Sequence, residues 1–157
     1  MDNKNYFILA IDCGSTNLKA AIFDKNLNRI SENSIPLEYS VNDIERVEFE
    51  ADKTYDSLIE LFRKSCRDAG IKTSNVNAIS IDSQANTLSI VDKECKPVIP
   101  FISYLDGRAV LEAKILDGLY FNKDLDKLIK TPWSTLSKVL WLKNYNPDVR
   151  YNRKLWI

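Results

Sequence analysis

The chain has 157 residues, 45% of them hydrophobic and 28% charged, which suits one soluble domain with a real core. Lys and Arg number 22 and Asp and Glu number 22, so charge gives no reason to expect nucleic acid or a membrane surface as a partner. Histidine is absent, which excludes a Ser-His-Asp triad, a Cys-His pair and any His-ligated metal within this chain.

In chain order, the start at Met1-Asp2-Asn3-Lys4-Asn5 is polar and carries no signal-peptide pattern. Tyr6 to Ile11 is a continuous apolar run, as in a strand covered on both faces. Asp12-Cys13-Gly14-Ser15-Thr16-Asn17 follows as a polar glycine turn. Leu18 to Phe23 then reads as a second strand carrying Lys19, and Asp24-Lys25-Asn26 as a tight turn. Leu27 to Ile35 reads as a third, more polar strand, which completes an antiparallel meander. Two readings of the first hairpin stand open. It is an ordinary Gly-Ser-Thr turn, or its backbone N–H groups form an anion nest while Asp12 holds Mg²⁺ through water.

Ile35 to Val47 contains Pro36 and mixed polar residues and reads as a connection. Ala51 to Ala69 is the clearest helix, with Tyr55, Leu58, Ile59, Phe62, Cys66 and Ala69 on one face and Gly70 at its end. The acids Glu45, Glu48, Glu50 and Asp52 read as its solvated entrance. Val76 to Asp82 reads as a fourth strand, which a crossover helix permits to lie parallel to the first. Thr87 to Val91 is a short strand and Asp92 to Pro97 a turn. Val98 to Tyr104 is extended, with Pro97 and Pro100 arguing against a central place. Asp106 to Leu116 reads as a helix with Asp106 as its N-cap, and Arg108 as the partner of an acid such as Asp106 or Glu112. Pro132 to Tyr145 reads as another helix, with Thr131 capping it and Pro132 at its first position. No apolar run reaches transmembrane length. The cysteines Cys13, Cys66 and Cys95 are odd in number and form no CxxC pair, which suggests a reducing cytoplasm and no structural zinc.

Together the motifs form an ordered set. Asp12-Cys13-Gly14-Ser15-Thr16-Asn17-Leu18-Lys19 is similar to the pattern Asp-x-Gly-Thr-Thr/Ser-x-x-Lys/Arg, the first phosphate motif of the FGGY carbohydrate kinases, the family of xylulokinase, gluconokinase and glycerol kinase. Val47-Glu48 resembles the start of that family's Val-Glu-Gln/His-Asp-Pro segment, with Glu50 and Ala51 in place of Asp-Pro. Ile79 to Leu88 matches the stretch that carries a Gln followed by sugar-contacting residues. Pro97 to Ala109 resembles Pro-Ile-Leu-Trp-x-Asp-x-Arg-Ala, with Tyr104 at the Trp position. Thr135 to Asp148 resembles the Lys-Leu-x-Trp-Leu helix with its following Pro-Glu.

The resemblance implies an α/β, ribonuclease-H-like fold of the actin and hexokinase type, a mixed sheet with flanking helices, here incomplete. It implies an ATP-dependent kinase that transfers the γ-phosphoryl group to a sugar or polyol hydroxyl, with ATP and Mg²⁺ as cofactors. By that resemblance Asp12 supports the metal, and Gly14, Ser15, Thr16, Asn17 and Lys19 face the phosphates. Gln84, Ala85, Asn86, Tyr104 and Asp106 line the sugar side. The family's catalytic base lies in a Gly-Asp segment, and this chain has no Gly-Asp dipeptide. The base is therefore expected beyond Ile157, and the adenine-binding domain is expected to be absent. An apolar end at Leu155-Trp156-Ile157 fits a piece of a longer chain, and with Val139 to Leu142 it is expected to expose apolar surface and drive homo-oligomer formation. Two alternatives remain: a non-catalytic sugar-binding or interaction module, and a metal-dependent nuclease using Asp12, Glu48 and Asp82.

Overall fold

The computed structural model describes residues 6–43, 46–119, 131–145 and 155–156. The readings placed on residues 1–5, on Glu45, on Pro147 and Asp148, and on Ile157 lie outside the described residues. The chain divides into two units, Met1–Glu38 with Asp52–Gln84, and Tyr39–Ala51 with Ala85–Ile157.

The first unit is built on a four-stranded sheet in the order β3-β2-β1-β6, where β1 is Phe7–Cys13, β2 Asn17–Phe23, β3 Arg29–Pro36 and β6 Val76–Ser83. The three meander strands are antiparallel, as their short turns require, while β6 lies parallel to β1 after the helix α1 (Ala51–Asp68). Leu9, Leu18, Ala20 and Ile22 of the sheet pack with Leu61 and Cys66 of α1. Each large side chain buried there contributes about 1.5–3 kcal/mol. Of the expected stripe, Leu58, Phe62, Cys66 and Ala69 pack on this core, while Tyr55 is exposed and Leu61 is buried beside them. Ser65 anchors that face. It is fully buried, its hydroxyl donates to the Ala20 carbonyl at 3.1 Å and accepts from Asn33 at 3.1 Å, and its carbonyl accepts from Ser31 at 2.7 Å. These bonds turn the 61, 65 and 66 positions onto β2 and β3. The helix ends where expected. Gly70 takes φ +67°, and the Ile71 N–H reaches back to the Cys66 carbonyl at 3.0 Å.

In the second unit, the segment read as a connection forms a hairpin, β4 (Ser40–Asp43) with β5 (Arg46–Phe49), and β8 (Phe101–Ile102) pairs with β5. Its apolar positions are few, so periodicity hid it. β7 (Ser89–Ile90) pairs with β9 (Leu155–Trp156). The helices are α2 (Val110–Leu119) and α3 (Thr135–Tyr145). Leu88, Ile90, Ile102 and Leu142 form the core, with Val139 and Trp141 packed against it. The expected apolar exposure is thus corrected at Val139, Trp141 and Leu142, because these side chains fill a core within the chain. Both helix starts also move. α2 begins at Val110, since Asp106 is occupied elsewhere and does not cap it. α3 begins at Thr135, because Ser134, and not Thr131, receives the Ser137 N–H on its hydroxyl at 3.2 Å.

Candidate functional site

The first group of residues gathers where β1 and β6 end. Strand register sets Asp12 beside Lys19 of β2 on one side and beside Asp82 of β6 on the other. The Lys19 ammonium meets the Asp12 carboxylate at 3.2 Å, with both side chains close to half exposed. Such a pair is worth only about 0–1 kcal/mol, so either partner can be drawn to a ligand at small cost. Leu18 and Ala20 point into the core and force Lys19 outward between them. Gln84 follows β6 directly. Its N–H donates to the Cys13 carbonyl at 3.1 Å, and its side-chain amide reaches the Gly14 carbonyl at 3.4 Å. Asp12, Gly14, Lys19 and Gln84 are therefore brought together at the carboxyl ends of adjacent parallel strands, where α/β folds place ligands.

Gly14 is required by contact and not by a left-handed φ. A Cβ there would stand 2.9 Å from the Asn17 carbonyl oxygen and 3.3 Å from the Asp12 carboxylate. The first obstacle is backbone and cannot swing aside. We expect Gly14→Val to destabilise the chain by about 1–3 kcal/mol, as overpacking does. Urea unfolding measures it, and an unchanged midpoint would show that the hairpin has room. Ser15 and Asn17 are half-buried and Thr16 is exposed, its carbonyl accepting the Leu37 N–H at 2.9 Å. Partial burial, then the charges of Asp12 and Asp82, push the Cys13 thiol pKa up, which works against thiolate formation there.

The second group lies in the second unit. Ala85 and Asn86 are exposed. Asn86 takes φ 59°, and its side-chain oxygen accepts from the Thr135 N–H at 3.3 Å and the Thr135 hydroxyl at 3.1 Å. Tyr104 is half-buried, its N–H donating to the Thr87 hydroxyl at 3.0 Å. Asp106 is 0% exposed and wholly engaged. It accepts the Val47 N–H at 2.8 Å and a forked pair from Arg108, Nε at 2.8 Å and Nη2 at 2.7 Å. Arg108 also bonds Glu48, and its guanidinium lies 5.0 Å above the Trp141 ring. Burial works against the guanidinium, but hydrogen bonds and charge from Asp106 and Glu48 outweigh it and raise its pKa. Glu48 is thus a structural partner and not a solvated acid. Among the described residues no group of three acid, Cys or His side chains is placed to hold a metal.

Sequence reasoning missed Lys138. It is 0% exposed, and its ammonium donates to the Asn86 carbonyl at 2.9 Å and the Ser103 carbonyl at 2.6 Å. It thereby ties the loop carrying Asn86 to the loop carrying Tyr104. The available signal was its place one turn from both Ser134 and Leu142, on the inward face of α3.

Residues 7–157 match the model of the FGGY family of carbohydrate kinases, N-terminal domain. The chain belongs to this family. The FGGY chain is 29% identical over 150 residues to a glycerol kinase of Brucella ovis and 24% identical over 156 residues to the autoinducer-2 kinase of Escherichia coli K12. These alignments cover 92% and 95% of this chain, but only 30% and 29% of those proteins. The chain thus spans about a third of the length of these curated relatives. Among solved structures it resembles the ligand-bound xylulose kinase of Lactobacillus acidophilus, with TM-score 0.81, 20% identity, and 94% of this chain against 30% of that one. It also resembles the Plasmodium falciparum glycerol kinase with ADP, with TM-score 0.78, 22% identity, and 93% against 30%. The fold is therefore the mixed α/β fold of the FGGY kinases, of the actin and hexokinase type. No helix among the described residues is long and apolar enough to cross a membrane.

Proposed function

We propose that this FGGY chain supplies the phosphate hairpin and the sugar-side loops of an ATP-dependent kinase acting on a sugar or polyol hydroxyl. The observation that carries the reading is the convergence of Asp12, Gly14, Lys19 and Gln84 at the ends of β1 and β6. Phosphoryl transfer is mostly positioning and charge stabilisation, and this cluster offers both a cation and an acid beside the glycine hairpin. The residues fit a nucleotide phosphate with its metal. Gly14 leaves a cradle that a Cβ would fill, and the Asp12 carboxylate is close to half exposed, its ion-pair partner among the described residues being the exposed Lys19. Asp12 would hold Mg²⁺ through water, and Lys19 would meet phosphate oxygens together with Gly14, Ser15, Thr16 and Asn17. The bound metal would offset phosphate charge. Gln84, Ala85, Asn86 and Tyr104 would meet the sugar, and Asp106, being buried, would act by holding Arg108 and the β5 backbone in place.

The base that accepts the hydroxyl proton would come from a Gly-Asp segment that this sequence lacks. The purified 157-residue chain is accordingly expected to bind a sugar or polyol without releasing ADP. Calorimetric titration with glycerol, xylulose and gluconate, each with and without Mg-ATP, tests this. Sugar-dependent ADP release would place the base within this chain. Divalent metal binding without sugar or nucleotide would favour the nuclease reading. The missing base also keeps a second reading open, a sugar-binding module without catalysis. Sugar binding indifferent to Mg-ATP and to Asp12→Asn would support that one.

A further inference from the structure

Asn86 is held at both of its oxygens by the first turn of α3. It takes φ 59°, a left-handed conformation that Asn and Asp tolerate better than other non-glycine residues. Its backbone carbonyl accepts from the Lys138 ammonium at 2.9 Å. Its side-chain oxygen accepts from the Thr135 N–H at 3.3 Å and from the Thr135 hydroxyl at 3.1 Å. A backbone N–H can only donate, so the amide atom that faces it is the oxygen. That fixes which way round the amide lies. A carbonyl oxygen has two lone pairs, and Thr135 takes both. The side chain therefore has no acceptor left to offer. What it offers is the NH₂ group, with two hydrogens to donate. Hydrogen bonds accepted on the oxygen also polarise the amide, which makes those hydrogens better donors. Ala85, the preceding residue, has no hydrogen-bonding group in its side chain.

We propose that Asn86 selects a C=O oxygen of the substrate, the carbonyl of a ketose or the carboxylate of a sugar acid, over a hydroxyl. The proposal rests on the reading that Asn86 meets the sugar. A hydroxyl can also accept from the amide, but its own hydrogen then needs an acceptor. Neither the Asn86 nor the Ala85 side chain supplies one. A carbonyl or carboxylate oxygen carries no hydrogen and needs none. Sites built from a fixed donor discriminate against groups whose polar atoms they leave unpaired.

Calorimetric titration of the 157-residue chain with two matched pairs tests this: xylulose against xylitol, and gluconate against glucitol. Within each pair a C=O group is exchanged for a hydroxyl. The C=O member should bind at least about tenfold more tightly in one of the pairs, and which pair shows it tells a ketose from a sugar acid. Asn86→Asp is the deciding variant. It keeps an oxygen for Thr135, accepts the same φ and puts an acceptor where the NH₂ was. Its denaturant midpoint at pH 7 should match or exceed that of wild type, because an acid is favourable at a helix start. Its preference for the C=O member should vanish or reverse, since two acceptors then face each other. The polyol should keep its affinity, because a hydroxyl can turn to donate. A lowered midpoint would show that the amide nitrogen faces α3, and would overturn the proposal without any sugar. Equal binding within both pairs by wild type, or a preference that Asn86→Asp leaves in place, would overturn it while the sugar-side reading stands. A wild type that binds none of the four compounds would overturn that reading and this proposal together.

Discussion

Arg108→Ala is expected to destabilise the chain by about 3–5 kcal/mol, because it strands a charge that water does not reach. Among the described residues, Asp106 would keep the backbone N–H groups of Val47 and Arg108 as donors. Glu48 would lose its ion-pair partner, and the Trp141 ring its cation. The loss is comparable to the whole stability of a marginal domain. Arg108→Lys should recover little of it, since an ammonium cannot make the forked pair to Asp106. Asp106→Asn in the Arg108→Ala background should recover part of it, because the stranded group is then neutral. Urea unfolding of the single and double variants measures the coupling. Equal midpoints for wild type and Arg108→Ala would show that the network carries no weight. The reading of Asp106 as buried support would then fail with it.

Lys138 yields the second large effect, and its sign depends on pH. Burial, with a smaller contribution from the Arg108 charge and against the pull of Asp106, brings its pKa down to about 8 from 10.5. The folded state therefore releases this proton before the unfolded state does. Below pH 8 both states hold it, and the folded chain bears the full cost of the buried charge. Between about pH 8 and 10.5 the unfolded state binds more protons, so stability rises with pH through that window. The rise amounts to about 3 kcal/mol at one pKa unit per 1.36 kcal/mol. A neutral amine still has two hydrogens to donate, enough for the Asn86 and Ser103 carbonyls, so the tie between the loops survives the titration. Lys138→Met removes both bonds. The stranded carbonyls cost about 1–3 kcal/mol, but at pH 7 the variant also escapes the cost of the buried charge, so its deficit against wild type should be small there and should open as pH rises from 8 to 10.5, where the variant's own rise vanishes. Denaturant midpoints of both proteins across that range check this. A parallel pH profile for wild type and variant would show that Lys138 is not the titrating group.

These two residues also mark where sequence reading stopped. Arg108 was legible as a residue that would pair with an acid, and Asp106 was named as its neighbour. Glu48, sixty positions earlier, was not, since nothing local ties β5 to the loop before α2. Lys138 was passed over because a lysine in a helix is usually on its wet face, and only the packing of α3 against the core shows otherwise. The shift of α2 from Asp106 to Val110 has the same origin. A residue type favoured at N-caps was claimed by the Arg108 guanidinium two positions on and by the Val47 N–H of distant β5.

Local chemistry was enough for the meander, for α1 with its glycine stop, for the parallel return of β6, and for the Asp12-to-Lys19 hairpin. Apolar runs, turn residues and helical spacing act over a few neighbours and are readable in one dimension. Motif order was likewise enough to point to the FGGY family, because each motif keeps its residues within a short stretch. Folding in three dimensions was needed to place the β4–β5 hairpin, the buried Arg108 and Lys138 networks and the exposure of Ile79 and Ile81. The networks rest on residues far apart in the chain, while the hairpin is local but has too few apolar positions for periodicity to show it. Ile79 and Ile81 have the pattern of core residues, and whether they are core depends on whether another element lies over them. That is a property of what packs on the sheet, and no pattern within β6 encodes it.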